Sequence, residues 1–531
     1  MPPPGVTSSN DCFEINLTRP LSHATDDARI FSESFAPAFT YPIVNEEESL
    51  VGYKAPRIEL DFRANDMRPS LKVSFEAKLD LKGVLPDDKL VDLETVFAEH
   101  IPQHHAQEAR AAALSSDPRS KHWRPPGEQV RSFTLQGKQY EIWLASLANP
   151  AAKALWENMQ ILTLLFIEGA SKPELDEQWS LERWSLYLLY DVTSIDEDCS
   201  PYTLAGFSTS YRYWIFPSLD IMRATKSLPS PPPSNNGDAA KYTPPRLTQD
   251  PNTFLFNERI NPLEQPSRER ISQYIILPPY QGQSLGAKLY DTIFANLSTK
   301  PFIYEIPVED PNEAFDAMRD YSDIVFLRTL PAFQTLSIPP TLPPEKIAKS
   351  APIPRDEILG HGVDLTQLRH EAKIVPRQFN RMLELHLLST IPAAHRKKAR
   401  ITRKERSSNE NDRRYYFWRL ALKDRIYRQN FDALDQLEDA AQKVEMLEAA
   451  VDNQQDEYEE RLEGIQRRAK FNEEGHNGAT GRSRPKRKRR VVEDDDDNDD
   501  DDDDDDKEEE EEEEEEGVDV MSVASSKRMK T

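Results

Sequence analysis

Three carboxylates and one glycine-bearing turn carry the chemistry legible in this chain. Glu309 and Asp310 lie in the stretch Tyr304-Glu305-Ile306-Pro307-Val308-Glu309-Asp310-Pro311-Asn312-Glu313. Asp310 has a structural role open to it, because Asp as N-cap, Pro311 at N1 and Glu313 at N3 form a capping-box pattern. Glu309 has no such role. It stands at the C-terminal end of a predicted parallel strand, the edge where open α/β sheets gather ligands. A carboxylate there can serve as a general base. Glu168 closes the apolar run Ile161–Ile167, where its charge opposes a helix dipole; a solvated helix end accounts for it equally well. The turn Gln281-Gly282-Gln283-Ser284-Leu285-Gly286-Ala287 links a strand over Arg270–Leu277 to a helix starting near Ser284. Small residues there bare backbone N–H groups at the helix start, and with the dipole they make an anion seat suited to a diphosphate. A tight connection in an ordinary α/β domain explains the turn alone equally well. Two carboxylates near an anion seat suggest proton removal from a cationic substrate group.

The elements that must position these groups alternate strand and helix. Arg57–Arg63, Leu71–Leu79, Gln139–Ala145 and Trp184–Asp191 read as strands, Tyr202–Phe216 as a long strand or hairpin, and Ala151–Glu168 as an apolar helix. After the helix at Ser284, Phe302–Val308 reads as a strand, Pro311–Arg319 as a helix and Asp323–Leu327 as a further strand. The first 30 residues show little periodicity and are expected to be flexible. Leu434, Leu437, Ala441, Val444, Leu447 and Val451, continued by Tyr458, Leu462 and Ile465, mark one face of a long helix. That face either packs on its own domain or pairs with a partner.

Composition sets bounds on function. The 531 residues carry a formal net charge of −26 and two cysteines, Cys12 and Cys199. Residues 493–516 hold 22 acidic side chains against Lys507, which leaves about −5 for all the rest. The cysteines show no pairing pattern, which fits a reducing compartment. Residues 1–16 lack a charged-then-apolar leader pattern, and no apolar run is long enough to span a bilayer. The expectation is a soluble intracellular protein.

With these residues in view, the sequence resembles the GNAT acetyltransferase superfamily and, within it, the catalytic subunits of type B histone acetyltransferases of fungal type. The superfamily motif Gln/Arg-x-x-Gly-x-Gly/Ala is met as Gln281-x-x-Ser284-x-Gly286, with Ser284 where the first glycine belongs. More specific are S-Q-Y-I-I-L-P-P-Y-Q-G-Q-S-L-G-A-K-L (272–289), V-E-D-P-N-E-A-F-D-A-M-R-D (308–320), F-I-E-G-A (166–170), E-R-W (182–184), Y-R-Y-W-I-F-P (211–217) and E-E-E-S-L-V-G-Y-K (46–54). The resemblance covers residues 10–345 well and 355–430 loosely.

The resemblance implies a mixed α/β protein with a GNAT acetyltransferase fold. Its parts would be a flexible N-terminus (1–30), an N-terminal α/β domain (31–200) and an acetyl-CoA-binding catalytic domain (201–337) with a Pro-rich insertion (228–265). A Pro-rich linker (338–355), a helical C-terminal region (356–472) and a disordered tail (473–531) would follow. Acetyl-CoA is the implied co-substrate. Tyr274, Ile275 and Ile276 would bond the pantetheine arm through their backbone, and Gln281, Gly282, Gln283, Ser284, Leu285, Gly286 and Ala287 would cradle the pyrophosphate. Asn312 and Tyr321 would line the cofactor further on. Glu309 would be the general base, with Glu168 and Asp310 in support. Glu46, Glu47, Glu48, Trp184, Tyr211, Arg212 and Tyr213 would form the groove for the histone H4 tail. Further implications are histone H3 and a WD-repeat histone-binding subunit as partners, and residence in cytoplasm and nucleus. The sequence marks no unambiguous docking surface for that subunit, and the segment after Tyr213 is the one chosen for it.

The chemistry agrees with such roles. A lysine amine has a free pKa of about 10.4 and must lose its proton before attacking a thioester. No cysteine lies near either motif, which favours direct transfer over an acyl-cysteine intermediate. A GNAT enzyme acting on another amine, or a non-catalytic acidic histone chaperone, are the alternatives. Neither a metal site at His100, His104 and His105, interrupted by Pro102, nor nucleic-acid contact by the basic stretch Arg396–Arg406 is expected. Arg484–Arg490 has the charge density of a nuclear localisation cluster.

Overall fold

The computed structural model describes residues 6–19, 28–79, 91–102, 120–173, 175–194, 197–214, 248, 250–253, 257, 261–348, 351–437 and 439–477. Most of the 228–265 insertion, His104, His105, the segment after Trp214, the Arg484–Arg490 cluster and the acidic run lie outside them. Residues up to Phe471 form one unit; of a second, beginning at Asn472, only the helical backbone of residues 472–477 is described.

Two sheets build the α/β part. The smaller has the order β3-β2-β6-β7, with β2 (Phe13–Arg19) parallel to β6 (Arg57–Arg63) and β3 (Ala28–Arg29) and β7 (Pro69–Ser74) antiparallel at its edges. Short pairs of β1 (Val6–Ser8) with β4 (Ser49–Val51) and of β5 (Tyr53–Lys54) with β8 (Ala77–Lys78) adjoin it. The flexible N-terminus is therefore corrected: Phe13–Arg19 is a central strand. Phe13, Ile15 and Leu17 are buried, and so is Asn16, which donates to Asp61 Oδ1 at 2.8 Å. The alternation of Phe13, Ile15 and Leu17 matches that of Ile58, Leu60 and Phe62 in β6, so the strand signal was present in the sequence and was passed over.

The larger sheet has the order β14-β13-β12-β11-β10-β9, from β9 (Glu128–Leu135), β10 (Lys138–Ser146), β11 (Trp184–Val192), β12 (Tyr202–Trp214), β13 (Ser267–Ile276) and β14 (Ile303–Glu305). Every pair is antiparallel except β13 with β14. This ladder runs straight across residue 200, so the boundary drawn there from the sequence falls inside one sheet. Buried bonds tie the two sheets: Leu204 N–H to Ala64 O at 2.8 Å, and Tyr190 OH to Asn65 O at 2.9 Å.

Helices cover both faces of the larger sheet. Asn149 caps α1 (Pro150–Phe166), accepting from Ala151 N–H and Ala152 N–H with Pro150 at the first position, the preferred arrangement for a helix start. On one face Trp156 of α1 donates to the buried Gln273 of β13 at 3.0 Å. On the other lie α2 (Leu285–Ser298) and α3 (Glu313–Leu327), with the Tyr274 ring of β13 edge-on to Phe315 at 4.9 Å. Helix α3 absorbs Asp323–Leu327, which the sequence reads as a strand. Asp320, Asp323, Ile324 and Leu327 are buried at helical spacing, and the short apolar run does not distinguish the two periods.

From residue 355 to 477 the described residues are mainly helical. Helices α4 (Arg355–Gly360), α5 (Pro376–Thr390), α6 (Glu410–Gln429) and α7 (Ala440–Asn477) converge on Glu384, which is fully buried. Its carboxylate accepts from Arg355 at 3.0 Å, from Arg425 at 2.9 Å and from Tyr458 OH at 2.9 Å, one partner from each of the other three helices. Val451, Tyr458, Leu462 and Ile465 of α7 are buried in this core, whereas Val444 is exposed, so the second half of the apolar face packs on its own chain. The same helices grip α3. Gln378 of α5 donates to Asp320 and Asp323 at 3.0 Å each, and Arg381 donates to Asp320 at 2.8 Å.

Candidate active site

Strand β13 organises the site. Its burial alternates strictly, with Ile271, Gln273 and Ile275 turned to the α1 side and Arg270, Ser272, Tyr274 and Ile276 to the half-buried side. Pairing with the next strand is short: Ser267 faces Ile303, Arg268 faces Glu305, and a last bridge joins Ile271 to Val308. Ile271 N–H donates to Pro307 O and Glu309 N–H to Ile271 O, both at 2.9 Å. Past Glu309 the chain turns away into α3, while β13 runs on to Ile276. The two strands form a fork, and no strand among the described residues pairs with the free side of Ser272–Ile276.

A β-bulge decides which groups face that opening. Ser208 pairs with Tyr274 and Ser210 with Ile271, so Ser272 and Gln273 together face Thr209, whose hydroxyl accepts the Gln273 N–H at 3.2 Å. A bulge of this kind shifts the alternation by one residue. Upstream of it, Ile271 bonds toward β14. Downstream, Leu277 N–H bonds Ala205 O on the β12 side, so Tyr274 and Ile276 turn their polar backbone to the open edge. Gln281 Nε2 donates to Ile276 O at 2.8 Å there. Of the three residues expected along that edge, Ile275 is corrected: its backbone faces β12 and its side chain is core.

At the end of β13 the Gly-rich turn delivers α2. Gly282 has φ +71°, a conformation L side chains rarely adopt. A Cβ on Gly286 would lie 3.1 Å from Met318 Sδ, so glycine lets α2 approach α3. Tyr274 OH donates to Gly286 O at 2.6 Å and pins the helix start to the open strand. No side chain caps the α2 N-terminus, which leaves its first-turn N–H groups available to an anion. Ser284, the departure from the glycine pattern, sits at φ +64°. Ser284→Gly is expected to raise stability by about 1 kcal/mol by relieving this left-handed conformation. Thermal melting checks it.

Glu309 is gripped at the mouth of the fork. Ser272 Oγ donates to Oε2 at 2.6 Å and Arg270 Nη1 to Oε1 at 3.3 Å. The Arg270 guanidinium lies over the rings of Tyr211 and Tyr213, 5.7 and 5.2 Å from their centroids. Tyr211 stacks on Trp184 at 4.8 Å, its direct partner across β11 and β12. Burial, reinforced by the Glu309 carboxylate, raises the Tyr211 hydroxyl above its ordinary pKa, so the ring stays neutral. Strand alternation puts Arg212 on the opposite face, where it pairs with the fully buried Glu269 at 2.9 Å. Arg212 is thus corrected from a groove residue to a structural one. The sequence reading also missed Arg270 and Ser272. Their signal was a same-face polar pair, two residues apart, on the strand beside Glu309.

The remaining predicted residues divide. Asp310 is exposed at φ +33° and does not cap α3; Asn312 does, accepting the Phe315 N–H at 2.9 Å. The capping box is corrected accordingly, because Asn at the N-cap satisfies the helix start two residues further on. The Tyr321 ring lies under Arg468 of α7 at 5.0 Å. Glu48 does not offer its charge to a groove: Thr40 N–H, Tyr41 N–H and Asn10 Nδ2 bond its carboxylate at 2.7, 3.1 and 2.6 Å. It organises a turn on which Glu46 and Glu47 are exposed. That turn is anchored to the end of α1, since Ala38 N–H donates to Leu165 O at 2.9 Å and Gly169 N–H to Tyr41 OH at 2.6 Å. Exposed Glu168 therefore shares one end of α1 with the acidic turn, and shares no hydrogen bond with Glu309 among the described residues.

Comparison with known proteins adds the decisive observation. Residues 5–168 match the family described as "Histone acetyl transferase HAT1 N-terminus". A histone acetyltransferase type B catalytic subunit of Gibberella zeae is 34% identical over 477 residues, 88% of this chain and 92% of the relative. The chain belongs to the family of type B histone acetyltransferase catalytic subunits. Counterparts from Aspergillus oryzae and Neurospora crassa are each 33% identical, over 85% and 81% of this chain. The protein is an acetyltransferase, a class of enzyme that draws on acetyl-CoA in general, and its relatives are named for histones as the acceptor. No cluster of metal-ligating side chains occurs among the described residues.

Proposed function

We propose that this enzyme acetylates lysine side chains in the N-terminal tail of newly synthesised histone H4, by direct general-base-assisted transfer on a GNAT-type fold. The observation that carries the reading is the fork. Its free strand edge leads from the gripped carboxylate of Glu309 to the uncapped N-terminus of α2. Acetyl-CoA supplies an activated thioester when bound. Tyr274 and Ile276 would bond its pantetheine arm as an added strand would, and the first turn of α2, with Gly282 and Gly286, would hold its pyrophosphate. Asn312 would border the site beyond.

Glu309 would take the proton from the lysine ammonium, directly or through one water. The free amine nitrogen would then attack the thioester carbonyl. The C–N bond forms as the C–S bond breaks, and the proton lost from the attacking nitrogen ends on the departing sulfur, so the coenzyme leaves as a thiol. Trp184 and Tyr211 offer a flat apolar wall to the lysine stem. Glu46, Glu47 and Glu168 give an acidic approach for a basic tail. Histone H3, a WD-repeat histone-binding subunit and work in both cytoplasm and nucleus complete the reading.

The test is to incubate the purified full chain and acetyl-CoA with an H4 tail peptide, an unrelated basic peptide and a polyamine. Acetyl-lysine on the H4 peptide, with the highest kcat/KM of the three, is the expected result. Acetylation of the polyamine alone would overturn the histone reading. Absence of acetyl transfer to any amine would overturn catalysis by this site.

A further inference from the structure

Both oxygens of Glu309 are held, each by a different residue of the neighbouring strand, and the way they are held is specific. The Ser272 hydroxyl lies 2.6 Å from one carboxylate oxygen, a close hydrogen bond. Arg270 meets the other oxygen at 3.3 Å, and its own plane is fixed by the Tyr211 and Tyr213 rings. Neither bond is needed to close the strands, because Glu309 N–H already bonds Ile271 O at 2.9 Å. Nor do they bury the carboxylate: the Arg270 and Glu309 side chains remain 36% and 38% exposed, so approach from the cleft stays open. The bulge at Ser272-Gln273 fixes Ser272 where the fork opens, through the Thr209 bond to Gln273 N–H.

We infer that Ser272 and Arg270 are positioning residues that orient the Glu309 carboxylate, so that one lone pair points along the fork toward the incoming amine. This rests on Glu309 being the general base. Rotation of a glutamate about its last torsion is broad, so an ungripped carboxylate would spend much of its time misaligned. Ser272, through the bulge, couples that alignment to the same strand edge proposed to bind the pantetheine arm.

A double-mutant cycle in the full-length enzyme tests it. Ser272→Ala is expected to lower kcat about tenfold, with KM for acetyl-CoA little changed, and Ser272→Thr, which restores a hydroxyl, should recover most of the loss. Arg270→Gln, on a partly exposed side chain, gives a second arm with a smaller loss of the same kind. In a Glu309→Gln background, neither substitution should reduce the residual rate further. Equal losses in both backgrounds would overturn the positioning role and leave the base assignment standing. A fall in acetyl-CoA affinity with kcat unchanged would likewise overturn it. Full turnover by Glu309→Gln alone would remove the base assignment, and this inference with it.

Discussion

Glu309→Gln is expected to lower kcat for acetyl transfer by about 100-fold or more, while acetyl-CoA binding stays near that of the parent enzyme. The amide has nearly the shape of the carboxylate and can still accept the Ser272 hydroxyl bond. The backbone bond from Glu309 N–H to Ile271 O does not involve the side chain. The fork should therefore keep its geometry and lose only the capacity to take a proton. Steady-state kinetics on an H4 tail peptide, paired with calorimetric titration of acetyl-CoA, separate the two effects. A kcat within about twofold of the parent would show that the proton goes elsewhere, with Glu168 and Asp310 the next carboxylates to replace.

The largest effect on stability is expected from Glu384→Ala. Glu384 lies fully buried between Arg355, Arg425 and Tyr458, and its backbone carbonyl accepts the Trp418 indole N–H at 3.0 Å. Truncation would leave two guanidinium groups with no buried counter-charge, a change that typically costs about 3–5 kcal/mol. Urea unfolding measures it, and a loss below about 1 kcal/mol would contradict this account. Activity should fall as well, because α5 carries the Gln378 and Arg381 that hold Asp320 and Asp323 of α3. Glu384→Gln, which keeps the shape and one acceptor, should lie between the two.

The local elements that carry the candidate residues could be read in part from residue types and spacing, and the failures have physical causes. The turn at Gln281–Ala287 and the strand before it were legible because small residues at a strand-to-helix junction are a local signal. Glu309 stood out because no cap explained it, and the structure places it at the mouth of the fork. Arg212 was misplaced because a motif spells consecutive residues, whereas a strand sends them alternately to opposite faces. Glu48 was misread because a run of three glutamates looks like a charged surface; only the fold shows that one of them is consumed by backbone N–H groups. Ile275 and Ser272 depended on the bulge opposite Thr209, which no local pattern announces. The strand at Phe13–Arg19 carries the same apolar alternation as Arg57–Arg63 and was passed over, and its partner lies 45 residues away in the chain.

The ladder that crosses residue 200 also bears on how such an enzyme can change over generations. β11 and β12 pair from Trp184–Tyr211 to Val192–Tyr202. Exchanging the chain on one side of residue 200 for that of an unrelated protein would strip two interior strands of their neighbours at once. The half that presents Trp184 and the half that presents Glu309 must be inherited together. Novelty in substrate or regulation is then confined to places where added chain does not interrupt hydrogen-bonded strands, such as the Gln136–Gly137 turn between β9 and β10.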